Sequence, residues 1–287
     1  GVMDVPTAKN GQLTSLGQLR IDVDTDSVAR EWTLTAHLEG IKNTWNLWTY
    51  PYPSPREPQP SIRSRVPGLR HILPHADYRD DFGGHMLTFD RDDSQLDTTT
   101  ELAIADLLSL RLLQYLHNGG RVWLMPTAEQ LFDYVNTRYL PPFWSYLHFP
   151  DNVSSVMGMI IHDHPVLQHF PNDRYSNWQW YNLVNDTPAI SLDAIPSIQP
   201  IVEVVDNFNR AKRLAYAFEA QIGQGRLFVS TWRLYDPNVN GRPEATYLLN
   251  QVINYLTGDN FTPASKLSVA QLLGLFKLTN NRASNLE

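Results

Sequence analysis

The stretch LLQYLHNGGRVWLMP, from Leu112 to Pro126, constrains the fold more than any other part of the chain. An amphipathic helix runs into Gly119-Gly120 and then directly into an apolar strand. Glycine enters the left-handed conformation that closes a helix without a Cβ clash, so Gly119 is placed as the stop. Arg121 to Met125 then reads as a buried strand. This is the helix-to-strand joint of an α/β sheet, and such a joint requires neighbouring strands to bury it.

The first fifty residues have a different rhythm. Leu19, Ile21 and Val23 alternate with Arg20, Asp22 and Asp24, and Trp32, Leu34 and Ala36 alternate with Thr33, Thr35 and His37. A period of two marks half-buried strands. A third strand, Asn43 to Tyr50, puts Trp45 and Leu47 on one face and Trp48 and Tyr50 on the other. Three strands do not close a sandwich, so further strands are expected upstream of residue 1. Residues 51–67, PYPSPREPQPSIRSRVP, are proline-rich and predict an extended linker. The expected organisation is therefore the terminal strands of a β-sandwich over 1–55, followed by an α/β domain over 56–287.

Beyond the linker, His85 to Phe89 reads as a short strand. Thr98 and Glu101 have the spacing of a capping box, opening a helix with a stripe through Leu102, Ala105, Leu108, Leu112 and Leu116. Thr127 is placed to cap a second helix, with Leu131, Tyr134 and Val135 inward. Strands are expected at Val156–Ile161, Ile201–Phe208, Leu214–Ala220 and Arg226–Trp232, the last two joined by a turn through Gly223 and Gly225. Pro243 suits the first turn of a helix with Ala245, Leu248, Leu249, Val252 and Leu256 inward. A final helix is expected over Ser265 to Phe276. The pattern predicts a mostly parallel sheet flanked by helices.

Composition narrows the chemistry. Hydrophobic residues make up 42% and charged residues 18%, enough for a filled core. No apolar run reaches the roughly 20 residues of a membrane span, so no membrane partner is expected. The net charge of −7 is spread along the chain, which argues against nucleic acid. There is no cysteine, which removes thiolate metal sites and cysteine nucleophiles. Neither glycine pair forms GxGxxG and no serine sits in GxSxG, so no cofactor is expected and no serine elbow is signalled.

Three sets of residues are candidates for function. Glu203, Asp206 and Glu219 lie on or beside predicted strands, and glycoside hydrolysis needs two carboxylates roughly 5–10 Å apart. Glu203 and Asp206 are three apart, however, and face opposite sides of a regular strand; pairing with Arg210, Lys212 or Arg213 is the simpler expectation. His162, Asp163 and His164 form a weak metal candidate, or else the polar cap of the turn at His164-Pro165. The aromatic set Trp144, Tyr146, Trp178, Trp180 and Tyr181 offers either a sugar-stacking surface or the packing of a long insert onto the sheet.

The run NTWNLWTYP at 43–51 resembles a closing-strand motif of bacterial family-2 glycoside hydrolases of the β-galactosidase type. Segments 164–183, 200–234 and 242–256 resemble the C-terminal region of the same enzymes. The resemblance implies a β-sandwich end followed by a flavodoxin-like domain similar to class I glutamine amidotransferases. Their nucleophile elbow corresponds here to Met125-Pro126-Thr127, without a cysteine, and no glutamate follows an asparagine as the hydrolase acid/base does. The implied role is a non-catalytic accessory or scaffold region. Its partner would be a catalytic barrel in the parent polypeptide, with carbohydrate a further candidate ligand, oligomer formation open, and a periplasmic or extracellular location. The alternatives are a carbohydrate-binding module using Trp144, Trp178, Trp180 and Tyr181, and a stand-alone hydrolase with an acidic or metal site near His162.

Overall fold

Leu102–Ala105 reads LAIA, and every one of its side chains is buried. A segment buried on both faces belongs inside a sheet covered on both sides. It is a strand, not the start of the helix predicted from Thr98 and Glu101. The helix begins only after Ser109, whose hydroxyl accepts from the Leu112 amide at 3.1 Å.

The structure is a computed structural model and describes residues 1–7, 11–22, 28–52, 57–79, 99–139 and 156–276. The predicted strand at His85–Phe89, and Thr98 itself, lie outside the described residues. The elements run β1 (Arg30–Leu38), β2 (Ile41–Thr49), β3 (Ile62–Ser64), β4 (Asp77–Tyr78), β5 (Leu102–Ala105), α1 (Leu110–His117), β6 (Arg121–Leu124), β7 (Tyr134–Asn136) and β8 (Val156–Ile161). They continue with α2 (Tyr181–Val184), β9 (Pro188–Ser191), β10 (Pro200–Asp206), β11 (Arg213–Ile222), β12 (Gly225–Ser230), α3 (Pro243–Thr257) and α4 (Val269–Leu275).

β3 to β12 form one large mixed sheet in the order β4-β3-β5-β6-β12-β11-β10-β8, with β9 paired to β11 and β7 to β9. The five strands from β4 to β12 are parallel. The pairings beyond β12 are antiparallel. The α/β class is as expected from sequence, but the parallel part is only half of the sheet. β3 lies inside the proline-rich stretch expected to be a linker, and it is an interior strand between β4 and β5.

Side chains alternate across the sheet between two cores. Trp123, Ile104 and Phe228 face one side with α3, while Val122, Leu124 and Val229 face the other with α1 and α4. All five predicted inward residues of α3, from Ala245 to Leu256, are fully buried. The helix–strand joint is as read from sequence. Gly119 has φ +105, its amide bonds the Leu116 carbonyl at 3.1 Å, and the Gly120 amide bonds the Tyr115 carbonyl at 2.9 Å. That is the Schellman pattern. Gly225 is needed for a different reason: a Cβ there would lie 1.8 Å from the Leu116 carbonyl oxygen.

Thr127 caps no α-helix. A single 3-10 turn follows at Ala128–Gln130 without a side-chain cap, and Tyr134–Asn136 is an antiparallel strand. At the other end of the chain, Ser268 and Gln271 form a complete capping box on α4.

β1 and β2 form a separate hairpin, turned by Glu39 and Gly40, both at positive φ. Two successive positive values give the turn whose twist matches paired strands. Trp32 pairs with Leu47, and Leu34 with Trp45, on one face. Tyr50 ties the hairpin to the α/β body through the rings of Phe170, at 5.8 Å, and Tyr247, at 5.4 Å. The strand expected around Leu19 and Ile21 is not formed: residues 11–22 carry no strand, and both side chains are exposed.

Candidate functional site

Read in chain order, the parallel strands occupy the sheet as second, first, third, fourth and last. The chain goes from β3 to β4 on one side and then to β5 on the other. The connections leaving β3 and β5 therefore diverge to opposite sides and leave a crevice beyond the strands' C-terminal ends. Open α/β sheets bind their ligands at such reversal points.

Arg65 follows β3 and Asp106 follows β5, and their side chains meet across this crevice at 2.8 Å. The Arg65 amide also bonds the Ile104 carbonyl at 2.9 Å, which fixes the turn from which the guanidinium projects. Arg79, following β4, pairs with Asp77 at 2.7 Å. The Arg70 guanidinium lies over the Tyr78 ring, 4.9 Å from its centre. Ser64, Arg65, Arg70, Tyr78, Arg79 and Asp106 line a cavity of about 440 Å³. That volume is ordinary for a small-molecule site.

Among the described residues three guanidinium groups and one carboxylate, Asp106, line the cavity, and a second carboxylate, Asp77, pairs with Arg79 beside it. The N-terminus of α1, at Leu110, follows β5 by five residues on the same edge of the sheet. Burial pushes the Tyr78 phenol up to about 12, with the Arg70 charge acting against it. The phenol is thus a donor at neutral pH, and it donates to the Leu73 carbonyl at 2.9 Å.

Sequence reading missed all of these residues. Arg65 sat in the supposed linker, and nothing local distinguished Asp106 from a helical acid. The signal was the short apolar-polar run Ile62-Arg63-Ser64, which three flanking prolines obscured.

The predicted sets are placed as follows. His162, Asp163 and His164 do not converge. His162 Nε2 lies 3.0 Å from Glu203, Asp163 pairs with Arg174 at 3.1 Å, and His164 Nε2 lies 3.4 Å from Glu219. Among the described residues no group of three acidic, histidine or cysteine side chains is placed to hold a metal ion. His164 is the cap of the turn at Pro165–Leu167, its Nδ1 accepting from the Val166 amide at 3.3 Å. That bond leaves Nε2 facing the Glu219 carboxylate. Tyr255 donates to the other oxygen of Glu219 at 2.8 Å. Glu219 is therefore a buried structural hub, and burial, followed by the Glu219 charge, raises the Tyr255 pKa. Asp206 pairs with Arg210 at 2.7 Å, as expected from sequence.

The aromatic set divides. Trp178 and Trp180 were expected on one face of an extended segment, but they lie on a 3-10 turn that sends them opposite ways. Trp178 is 57% exposed, whereas Trp180 is fully buried against Phe170 and Trp232. Trp180 is thus core and cannot stack on a ligand. Tyr181 is exposed beside Trp178, and Trp144 and Tyr146 lie outside the described residues.

Residues 103–277 match the family model described as a domain of unknown function, DUF8487, and the chain belongs to that family. Residues 1–51 match a second such model, DUF8488. No curated protein matches the chain. Among solved structures, a ThuA-like protein from Parabacteroides merdae is similar at 12% identity and a TM-score of 0.41, over 73% of this chain and 93% of that one. These matches overturn the resemblance to family-2, β-galactosidase-like glycoside hydrolases: the families that fit are different ones. The shared segments are an aromatic strand, a hairpin and an amphipathic helix, patterns that burial imposes on many sheets.

Proposed function

We propose that the chain is a ligand-binding α/β domain of the flavodoxin-like, doubly wound kind, and that it takes a small anion bearing a phosphoryl or carboxyl group. The strand order supports the fold reading, since second-first-third-fourth-last is the flavodoxin order. The observation that carries the ligand reading is the set Arg65, Arg70 and Arg79 around one cavity at the reversal point. Guanidinium groups match phosphate and carboxylate oxygens in geometry and charge. Asp106 pairs with Arg65, so an entering anion competes with that carboxylate for the guanidinium.

Calorimetric titration with inorganic phosphate and phenyl phosphate, against neutral benzyl alcohol, tests the reading. Saturable binding of the anions, weakened about tenfold or more in Arg70→Gln, is the expected result. Equal response to the neutral compound, or no response to any, contradicts it.

A further inference from the structure

The second feature lies away from the crevice, on the turn that carries Trp178. Tyr139, Trp178 and Tyr181 form a trio, with ring centres 5.5 Å apart for Tyr139–Trp178, 5.4 Å for Tyr139–Tyr181 and 5.9 Å for Trp178–Tyr181. Trp178 and Tyr181 stand out from the surface, while Trp123, Trp180 and Trp232 are wholly buried. The trio is mounted rigidly. Trp180, two residues from Trp178, is locked into the core at 5.0 Å from Phe170. Asn177 caps the turn by accepting from the Trp178 amide at 2.8 Å, and Asn185 accepts from the Tyr139 amide at 3.1 Å.

Amide residues adjoin Trp178 and Tyr181 in sequence, each bonded to a carboxylate. Asn177, next to Trp178, donates to Asp173 at 2.8 Å, and Asn182, next to Tyr181, donates to Glu244 at 3.0 Å. Burial, and then Asp173, raise the pKa of Glu31, so the hairpin adds a further acid close to Asp173.

We infer that Tyr139, Trp178 and Tyr181 are a stacking platform for a neutral saccharide. A pyranose presents an apolar face of C–H groups to an aromatic ring and a rim of hydroxyls to side chains that both donate and accept. The Asn177–Asp173 and Asn182–Glu244 pairs supply that rim. Around this segment acids and arginines are mixed, Arg138 pairing with Asp186 at 3.9 Å and Arg174 with Asp163 at 3.1 Å, in keeping with a neutral ligand rather than an anion. Because the three rings already pack on one another, and Tyr139 on the core, little side-chain entropy is lost on binding.

Saturation-transfer NMR with galactose, glucose, mannose, xylose and cellobiose tests the inference, with wild type, Trp178→Ala and Arg70→Gln. The expected result is transfer to ring C–H protons of at least one sugar at millimolar concentration, a response lost in Trp178→Ala and kept in Arg70→Gln. The thermal midpoint of Trp178→Ala, within a few degrees of wild type, shows that the fold is intact. Silence with all five sugars overturns the inference, as does a sugar response that survives Trp178→Ala. A response to a polyproline peptide without any sugar response overturns it too, and assigns the rings to peptide recognition.

Discussion

Arg65 and Asp106 meet at 2.8 Å across the point where the sheet reverses its strand order. The residues are 41 apart in sequence, yet each immediately follows a strand, and the two strands are neighbours. The pair therefore exists only because β3 and β5 lie side by side. It marks the crevice and controls the charge within it.

Asp106→Asn removes the carboxylate from the cavity wall while keeping its shape. Both partners are only partly buried, so the expected loss of stability is small, about 1 kcal/mol by urea unfolding. Phosphate affinity rises, because the carboxylate that occupies the Arg65 guanidinium is gone. Calorimetry that finds weaker or unchanged affinity would place the anion somewhere other than beside Asp106.

The Glu219 hub makes a sharper prediction about stability. Glu219→Ala leaves the buried Tyr255 hydroxyl without its acceptor and removes the carboxylate beside His164 Nε2. The expected cost is about 2–4 kcal/mol, against about 1 kcal/mol for Tyr255→Phe, which removes a single bond. In the double variant the two effects are less than additive, since each breaks the same contact. Strict additivity in chemical denaturation would show that the Tyr255–Glu219 bond contributes nothing.

The opposed directions of Trp178 and Trp180 predict opposite behaviour. Trp180→Ala opens a cavity between Phe170 and Trp232 and costs about 3–5 kcal/mol. Trp178→Ala lies within about 1 kcal/mol of wild type. Similar losses for both, measured by urea unfolding, would contradict the in-and-out placement.

Several phenols are held neutral by burial, with Tyr78 and Tyr139 pushed up to about 12. In the unfolded chain a tyrosine ionises near about 10. Between these values the unfolded state has released protons that the native state retains, so stability falls as pH rises. Their contribution is whole below about pH 10 and is lost progressively up to about pH 12. Urea midpoints measured from pH 8 to 11.5 should be level at first and then decline; a flat profile throughout would contradict the buried-phenol account.

What the sequence showed, and what it hid, follows from how local each signal is. The Schellman stop at Gly119, the inward face of α3 and the β11–β12 hairpin depend on a few neighbouring residues, and all were legible. Leu102–Ala105 was misread because four apolar residues fit a helical stripe and a doubly buried strand equally well; only the Ser109 cap separates strand from helix. β3 was hidden by its prolines, which lie on either side of three residues that pair normally. The crevice was the least legible feature, because Arg65, Arg70, Arg79 and Asp106 are brought together by strand order and no spacing in the chain encodes that order.

The Arg Nε–H resonances of the ¹⁵N-labelled protein, followed while inorganic phosphate is added, report on the central claim most directly. The account predicts saturable shifts at Arg65, Arg70 and Arg79 with one common affinity, and none at Arg20, whose side chain stands out in solvent, or at Arg174, which pairs with Asp163 beyond β8 at the far edge of the sheet. Shifts spread evenly over all arginines, or none at the three in the crevice, would contradict it.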